Sequence, residues 1–232
     1  MSDFANQVAA AKNAEITPRR AAARRVGDAA KRIIDKVVAT KAPLEELTRA
    51  ADMLEGVADL FVPWPQGRVF EGFGESSTSG DPSAFFDNSP IMGRANPLAP
   101  SFEVGVEGAI VVASVTFGAA YEGPPGCVHG GYVAATFDEV LGMTQSMTGK
   151  HGMTGTLTVR YRQPTPLHQA LRFEGEIVGE EGRKIFTVGR CLRPDGVLTA
   201  EAEAVFVTVN FERIAALYLT REASFGDGEL SG

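Results

Sequence analysis

The pattern that most restricts the fold is a single helix followed directly by strand-like runs. Apolar residues at helical spacing predict a helix from Gly130 to about Met147. Four β-rich runs separated by turn residues come after it: 153–163, 170–178, 183–192 and 197–209. A shorter strand pair comes before it: Phe102–Val106 and Ile110–Phe117. This order predicts an α+β fold in which an antiparallel sheet wraps around one central helix.

Two chemical groups stand out on the predicted helix. His129 directly precedes the helix and Gly130-Gly131 begin its first turn, where unpaired backbone N–H groups and the positive end of the helix dipole suit a developing oxyanion. Asp138 follows on a strip of small residues, where a carboxylate can act as a base or a nucleophile. Glu139 points about 100° away around the helix axis and is the alternative acid.

The spacing of these groups has a geometric consequence. Gly131 and Asp138 are separated by seven positions, which is roughly 10 Å along a helix that rises about 1.5 Å per residue. One reacting carbonyl cannot contact both groups within one chain. If both act on the same carbonyl, the second must come from another copy of the helix, so the motif predicts a homodimer.

Several sequence blocks occur in a recognisable order. The main ones are Gly126–Gly131, Phe137–Met143, Tyr161–Leu167 and Glu181–Lys184, and shorter pieces accompany them at Asn96–Pro100, Tyr121–Pro125 and Met153-Thr154. Together they resemble the hotdog-fold acyl-CoA thioesterases of the phenylacetate (PaaI) type. The strong blocks cover less than half of the chain, and residues 1 to about 60 lie outside the resemblance.

The resemblance implies a set of catalytic residues: His129, Gly130, Gly131, Asp138 and Thr154. The Thr154 hydroxyl is expected to hold a water or the carboxylate, and its alternative role is strand packing. His129 is expected to position the glycine turn, and a purely structural role is the alternative. The expected substrate-binding residues are Asn96, Arg183 and Lys184. The two cations suit the phosphates of CoA, although they are also typical of solvated turns.

The function implied by the resemblance is hydrolysis of an acyl-CoA to a free acid and CoA, without a metal or redox cofactor. Asp138 would activate water or attack the carbonyl to form an anhydride, and both routes stay open. An acyl-carrier protein is an alternative carrier, although the net charge of −7 opposes an acidic one. The implied assembly is a homodimer or a homotetramer built as a dimer of dimers. The alternatives are a non-catalytic acyl-CoA-binding or regulatory hotdog protein and a dehydratase or hydratase on the same fold.

The chain divides into four predicted parts: a helical arm over 1–62, a linker and long loop over 63–100, a hotdog domain over 101–210, and a short helix with a flexible tail over 211–232. The arm is a predicted helical hairpin whose apolar stripe we expect to dock on the domain or on its dimer partner. Residues 74–100 either cover the acyl end of a substrate pocket or form a disordered linker.

Charge is unevenly distributed along the chain. The net charge is −7, but Lys12–Lys41 carries nine basic and three acidic residues, a local charge of +6. A basic helix can contact RNA, an anionic lipid or an acidic partner, whereas possible i,i+4 pairs such as Arg24–Asp28 and Lys31–Asp35 favour a solvated face. The negative total disfavours nucleic acid as a partner of the whole chain.

Cysteine and hydropathy patterns predict an intracellular protein. Cys127 and Cys191 form no metal-binding spacing or disulfide framework. No apolar run approaches the ~20 residues needed to span a bilayer. The first residues also lack the basic-then-apolar order of a secretory signal. We therefore expect a cytoplasmic protein without a membrane span.

Overall fold

The architecture is a six-stranded antiparallel sheet that packs on one central helix. The computed structural model describes residue 6 and residues 16–64, 87–150 and 152–209. The helical segments are α1 (Pro18–Val37), α2 (Leu44–Asp59) and α3 (Gly130–Ser146), and Ala119–Tyr121 forms a 3₁₀ turn. The strands are β1 (Ser101–Glu107), β2 (Ile110–Thr116), β3 (Gly152–Tyr161), β4 (Ala170–Glu181), β5 (Lys184–Leu192) and β6 (Leu198–Thr208). Their spatial order is β1-β2-β4-β5-β6-β3.

The predicted α+β hotdog architecture with N-terminal helices is confirmed. The sequence placed the end of the fourth strand at residue 178, because the following glycines and glutamates resemble a turn. Instead, β4 continues to Glu181, passes a register shift between Ile177 and Gly179, and turns at Gly182, where φ is +58°. Backbone pairing needs no apolar side chains, so a polar sequence can extend a hairpin beyond its apolar run.

The apolar face of α3 lies on the sheet. Val133, Phe137, Val140 and Leu141 are fully buried, and the Phe137 ring meets that of Phe173 edge to face, with centroids 5.1 Å apart. Burial of each large side chain is worth about 1.5–3 kcal/mol relative to exposure. Gly175 permits the close approach, since a Cβ there would lie 2.2 Å from Thr144 Oγ1. Side chains that take part in chemistry must therefore lie on the side of the helix that faces away from this core.

The opposite face of the sheet carries cross-strand ion pairs. Arg190 and Arg172 both contact Glu174, at 3.0 and 2.8 Å, and Arg172 also reaches Glu107 at 2.7 Å. On the same face, toward the β3 edge of the sheet, Arg160 pairs with Glu203 and Arg162 with Glu201. Solvent and salt screen exposed pairs, so they add little to stability and mainly support the strand register.

Helix α1 docks on the domain through its polar face. Arg20 and Arg24 each contact the buried Asp87 carboxylate, with Nε to oxygen distances of 2.6 Å. Lys31 donates to the carbonyl oxygens of Gly93 and Arg94, and Asp35 accepts from the Ala119 amide at 2.7 Å. Arg24, Lys31 and Asp35 therefore contact the domain, which corrects the expectation that they lie on a solvated helix face.

The apolar stripe of the arm does not pack on its own domain. Val26, Ile33 and Val37 on α1 remain 49%, 39% and 52% exposed, and α2 contains no buried residue. The stripe is therefore not docked on the domain of the same chain, and the other expected place, a dimer partner, stays a prediction. Helical periodicity identifies the stripe, but here the polar contacts determine which face meets the domain.

The described half of the long loop, residues 87–100, is packed rather than a free linker. Met92 and Ala99 belong to the buried residues, and Ser89 is fully buried. Ser89 Oγ accepts hydrogen bonds from the amides of Ile91 and Met92, which fixes a tight turn. The linker interpretation is thus wrong for this half of the loop.

Other sequence expectations lie outside the described residues. These include the first half of the long loop, 74–86, and the short helix and tail expected over 211–232. Within the described ranges, no helix has the length and apolar character that crossing a membrane requires.

The docking of α1 can be tested at a glycine. A Cβ at Gly27 would lie 2.4 Å from the Ala95 carbonyl oxygen, whereas a Cβ at Gly56 in α2 would meet nothing within 4 Å. Alanine favours a helix by about 0.8–1 kcal/mol over glycine. We expect Gly56→Ala to stabilise α2 and Gly27→Ala to undock α1, which would accelerate tryptic cleavage after Arg20 and Arg24. Equal cleavage rates in both variants would contradict this docking.

Candidate active site

A tight turn leads into α3. Gly126 has a φ of +74°, and its amide donates to the Glu122 carboxylate at 2.6 Å. The next residues are anchored by backbone bonds, from Val128 N to the Thr165 carbonyl and from His129 N to the Tyr121 carbonyl, both at 2.8 Å. These hydrogen bonds fix the start of the helix to the Tyr121 and Thr165 segments.

His129 caps the helix with its own side chain. Its Nδ1 accepts a hydrogen bond from the Gly131 amide at 3.0 Å, so the neutral ring carries its proton on Nε2. The sequence predicted that both glycine amides face a substrate. In the structure the Gly131 amide already donates to His129 Nδ1, and the roles of both glycines toward a substrate stay predictions.

The Gly130 amide is the open donor at this helix start. Among the residues that the structure describes, it has no hydrogen-bond partner. The Gly130 carbonyl accepts from the Tyr161 hydroxyl at 2.7 Å, and a Cβ at Gly130 would lie 3.1 Å from that hydroxyl. Sequence reasoning assigned Tyr161 no role at this position, although it lies within one of the recognised blocks.

Aromatic rings line the region beside the helix start. Tyr132 meets the ring of Tyr121 edge to face at 4.9 Å and that of His129 at 6.4 Å. The Tyr121 hydroxyl donates to the Leu98 carbonyl at 3.0 Å. Burial raises the pKa of Tyr121 to about 12, with smaller contributions from Tyr132 and Asp35. Tyr121 is therefore a neutral hydrogen-bond donor that joins the loop to the glycine turn.

Asp138 lies on the exposed side of α3 and contacts β3. Its Oδ1 accepts a hydrogen bond from the Thr154 hydroxyl at 2.8 Å. The Thr154 hydroxyl was expected to hold either a water or the carboxylate, and in the structure it holds the carboxylate. The bond leaves further lone pairs on the carboxylate for a water or a substrate.

Glu139 points toward the long loop instead. Ser89 Oγ donates to its carboxylate at 2.6 Å, and this serine is fully buried. The contact joins the loop to α3 directly beside Asp138. No local sequence signal identified it, because the two residues are 50 positions apart.

The expected substrate-binding residues lie apart from one another. The Asn96 side chain donates to the Asn88 carbonyl and accepts from the Leu98 amide, so its carboxamide is used within the loop. The Arg183 guanidinium donates to the Thr208 carbonyl at 3.0 and 3.2 Å, and Lys184 is exposed at the start of β5. Lys184 and Met153 both pair with Val207, which places the two cations at the Thr154 end of the sheet.

The site groups form two clusters in one chain. One contains His129, Gly130 and Tyr161, and the other contains Asp138 and Thr154. Eight positions of helix separate Gly130 from Asp138, which is roughly 12 Å. Their partners on β3 are seven positions apart, which is roughly 23 Å of strand. Within one chain, the two clusters are therefore too far apart to contact the same substrate atom.

The two cysteines lie outside both clusters. Across the described part of the chain, no group of His, Cys, Asp and Glu residues has a metal-binding arrangement. Burial raises the pKa of the Cys191 thiol to about 12, so its reactive thiolate is strongly disfavoured. Cys127 is half-buried, and its thiol contacts the Pro125 carbonyl at 3.6 Å.

No protein-family model matches the chain. Among curated proteins, it is 37% identical over 87 residues to acyl-coenzyme A thioesterase THEM4 of Xenopus laevis, over 37% of this chain and 39% of that protein. It is 30% identical over 139 residues to THEM4 of Mus musculus, over 55% of this chain and 60% of that one. The matched region spans less than two thirds of either relative's length.

A solved structure matches over a larger share of both chains. The crystal structure of a thioesterase superfamily protein is 32% identical in sequence and superposes with a TM-score of 0.67. The match covers 80% of this chain and 94% of that chain. This likeness, together with a six-stranded antiparallel sheet packed on α3, identifies the chain as a member of the thioesterase superfamily with the hotdog fold.

Proposed function

We propose that the protein is an acyl-CoA thioesterase that hydrolyses its substrate to a free acid and CoA. The observation that carries the proposal is an exposed carboxylate, Asp138, oriented by Thr154 on the same helix that begins with the open Gly130 amide. The THEM4 relatives, named as acyl-coenzyme A thioesterases, support the substrate class. The reaction as proposed uses no metal or redox cofactor.

The helix start would stabilise the reacting carbonyl. The thioester oxygen would accept from the Gly130 amide, where the helix dipole also favours developing negative charge. His129 would hold the glycine turn rigid through its bond to Gly131. Loss of a single oxyanion donor costs about 10²–10³ in turnover in other enzymes, so a rigid turn matters for the rate.

Asp138 would supply the base or the nucleophile. In the first route it removes a proton from water, the hydroxide adds to the carbonyl carbon, and the C–S bond then breaks. In the second route the carboxylate itself adds, CoA leaves, and water hydrolyses the resulting anhydride. In both routes the departing CoA thiolate takes up a proton. The Thr154 hydroxyl would keep the carboxylate pointed at the same place in either route.

Gly130 and Asp138 can act on the same carbonyl only if a second copy of the chain supplies one of them. Since the two clusters are roughly 12 Å apart along α3, we propose that each site combines Gly130 of one copy with Asp138 of another. The edge of β3 that faces away from β6 is unpaired within the described chain. Met153 and Tyr161 on this strand are 49% and 54% exposed. An unpaired edge beside both clusters is suited to pairing with a second copy in a dimer or dimer of dimers.

Substrate recognition is proposed at two places. Arg183 and Lys184 would attract the CoA phosphates from the Thr154 end of the sheet, Arg183 with the donors not used by Thr208. Asn96 would act through the loop that it stabilises rather than by direct contact. The alternative function is acyl-CoA binding without catalysis. A protein of that kind would bind acyl-CoA but would not release the CoA thiol.

The assignment of the acid is tested by a pair of neighbouring substitutions. Asp138→Asn keeps the shape but removes the base or nucleophile, so we expect thiol release to fall by at least about 10³-fold with acyl-CoA binding retained. Glu139→Gln changes a residue that contacts Ser89, so we expect a loss of less than about tenfold. Thiol release and equilibrium binding are measured on both variants. A larger loss for Glu139→Gln would overturn the assignment, and binding without any wild-type turnover would favour the alternative function.

The role of His129 is tested by comparing two replacements. Asparagine is a good N-cap residue, whereas alanine removes the acceptor and costs about 1 kcal/mol of helix stability. If His129 acts by fixing the glycine turn, His129→Asn should keep most of the turnover and thermal stability, and His129→Ala should lower both. Equal loss of turnover in the two variants, with stability kept by His129→Asn, would indicate direct contact with the substrate instead.

A further inference from the structure

Helix α1 packs its polar face against the domain and leaves its apolar face exposed. The face that meets the domain contains Gly27, Arg24, Lys31 and Asp35, whose contacts to the loop and the 3₁₀ turn were described above. The apolar residues Val26, Ile33 and Val37 lie on the opposite face and remain exposed. Ordinary surface helices bury such a stripe, so this orientation indicates a partner for it.

Helix α2 has a second exposed stripe. None of its residues is buried, and its large apolar side chains from Leu44 to Val57 remain 39–80% exposed. At helical spacing, Leu47 and Leu54 form one line, with Glu46 and Glu55 on its two edges. Sixteen residues without a buried side chain cannot be held by propensity alone, because isolated helices of this length are marginal.

The two stripes face a common cleft. This cleft has a volume of about 480 Å³ and is lined mainly by apolar residues of both helices, among them Ile33, Val37, Leu47 and Leu54. Arg32, Lys36 and Glu46 are its charged lining residues. The cleft is therefore an apolar groove with a basic edge on α1 and an acidic residue on α2.

The charges of the two helices are complementary. Helix α1 contains seven basic and two acidic residues, a net charge of +5. Helix α2 contains one basic and five acidic residues, a net charge of −4. A membrane surface or a nucleic acid would attract α1 but repel α2. A surface that fits both helices needs an acidic amphipathic part and a basic amphipathic part, and another copy of this hairpin has both.

We propose that the arms of two copies pair reciprocally, so that α2 of each copy packs its apolar stripe against the stripe of α1 in the other. Helices of 20 and 16 residues are roughly 30 and 24 Å long. Two such hairpins can supply the 20–30 residues per side that specific interfaces typically use. The contact is separate from the unpaired edge of β3, and it does not depend on the proposed thioesterase activity.

Proximity of the arms can be measured by cross-linking full-length chains. One chain carries Ile33→Cys and the other Leu47→Cys, both in a Cys127→Ser background, and the chains have tags of different length. Buried Cys191 remains as an unreactive thiol. After the chains are refolded together, a bismaleimide with a reach of about 10 Å should give a mixed product. Leu98→Cys, on an exposed loop position, replaces Leu47→Cys in the matched control.

Charge reversal separates contacts between chains from contacts within a chain. Replacing Arg25, Arg32 and Lys36 by glutamate changes α1 from +5 to −1. Replacing Glu46, Glu55 and Asp59 by lysine changes α2 from −4 to +2. When both cross-linked chains carry the same reversal, we expect the mixed product to fall at least about tenfold. When one chain carries the first reversal and its partner carries the second, each α1 again faces an α2 of opposite charge, and the product should recover.

Each outcome decides the proposal. Recovery in the complementary mixture supports reciprocal pairing, and circular dichroism of each variant confirms that its helices are intact. If only a chain with both reversals recovers, the charges act within one hairpin and the proposal is wrong. Cross-linking equal to that of the Leu98→Cys control also overturns it. Binding of the wild-type chain to phosphatidylglycerol vesicles, without cross-linking in solution, would assign the stripes to a lipid surface instead.

Discussion

The packing of α3 on the sheet determines the rest of the structure. Burial of Phe137, Val140 and Leu141 fixes the rotation of the helix, so the opposite side carries Asp138 toward β3. The same helix begins at the open Gly130 amide, where the dipole favours an anion. Because an α-helix has a fixed rise, these two groups are held about 12 Å apart. A site that uses both groups then needs two copies of the helix, which makes assembly part of the proposed chemistry.

The arm is coupled to this helix through the loop over 87–100. Arg20 and Arg24 neutralise the buried Asp87, and two residues later Ser89 contacts Glu139 on α3. Removing the partners of a buried charge costs about 3–5 kcal/mol, so the arm contributes to the stability of the loop. If arms of different copies pair as proposed, the same contacts connect assembly to the helix that carries Asp138.

Much of the domain could be predicted from the sequence, because periodicity and turn residues are local signals. They identified α3, the strands and the positions of His129, Gly130 and Asp138. The missed features depend on contacts between distant residues. Tyr161 reaches Gly130 across 31 positions and Ser89 reaches Glu139 across 50. The stripe of α1 was expected on the domain or on a dimer partner, and periodicity could not decide between them, since it shows that a helix is amphipathic but not which face finds a partner.

In the proposed active site, Gly130 of one copy acts together with Asp138 of another. The most direct measurement is thiol release after a Gly130→Val chain and an Asp138→Asn chain, each nearly inactive alone, are unfolded and refolded together. About half of the dimers would be mixed, and each would contain one intact site and one doubly defective site. We expect recovery to about a quarter of the wild-type rate. No recovery, with mixed dimers demonstrated by differential tagging, would contradict it.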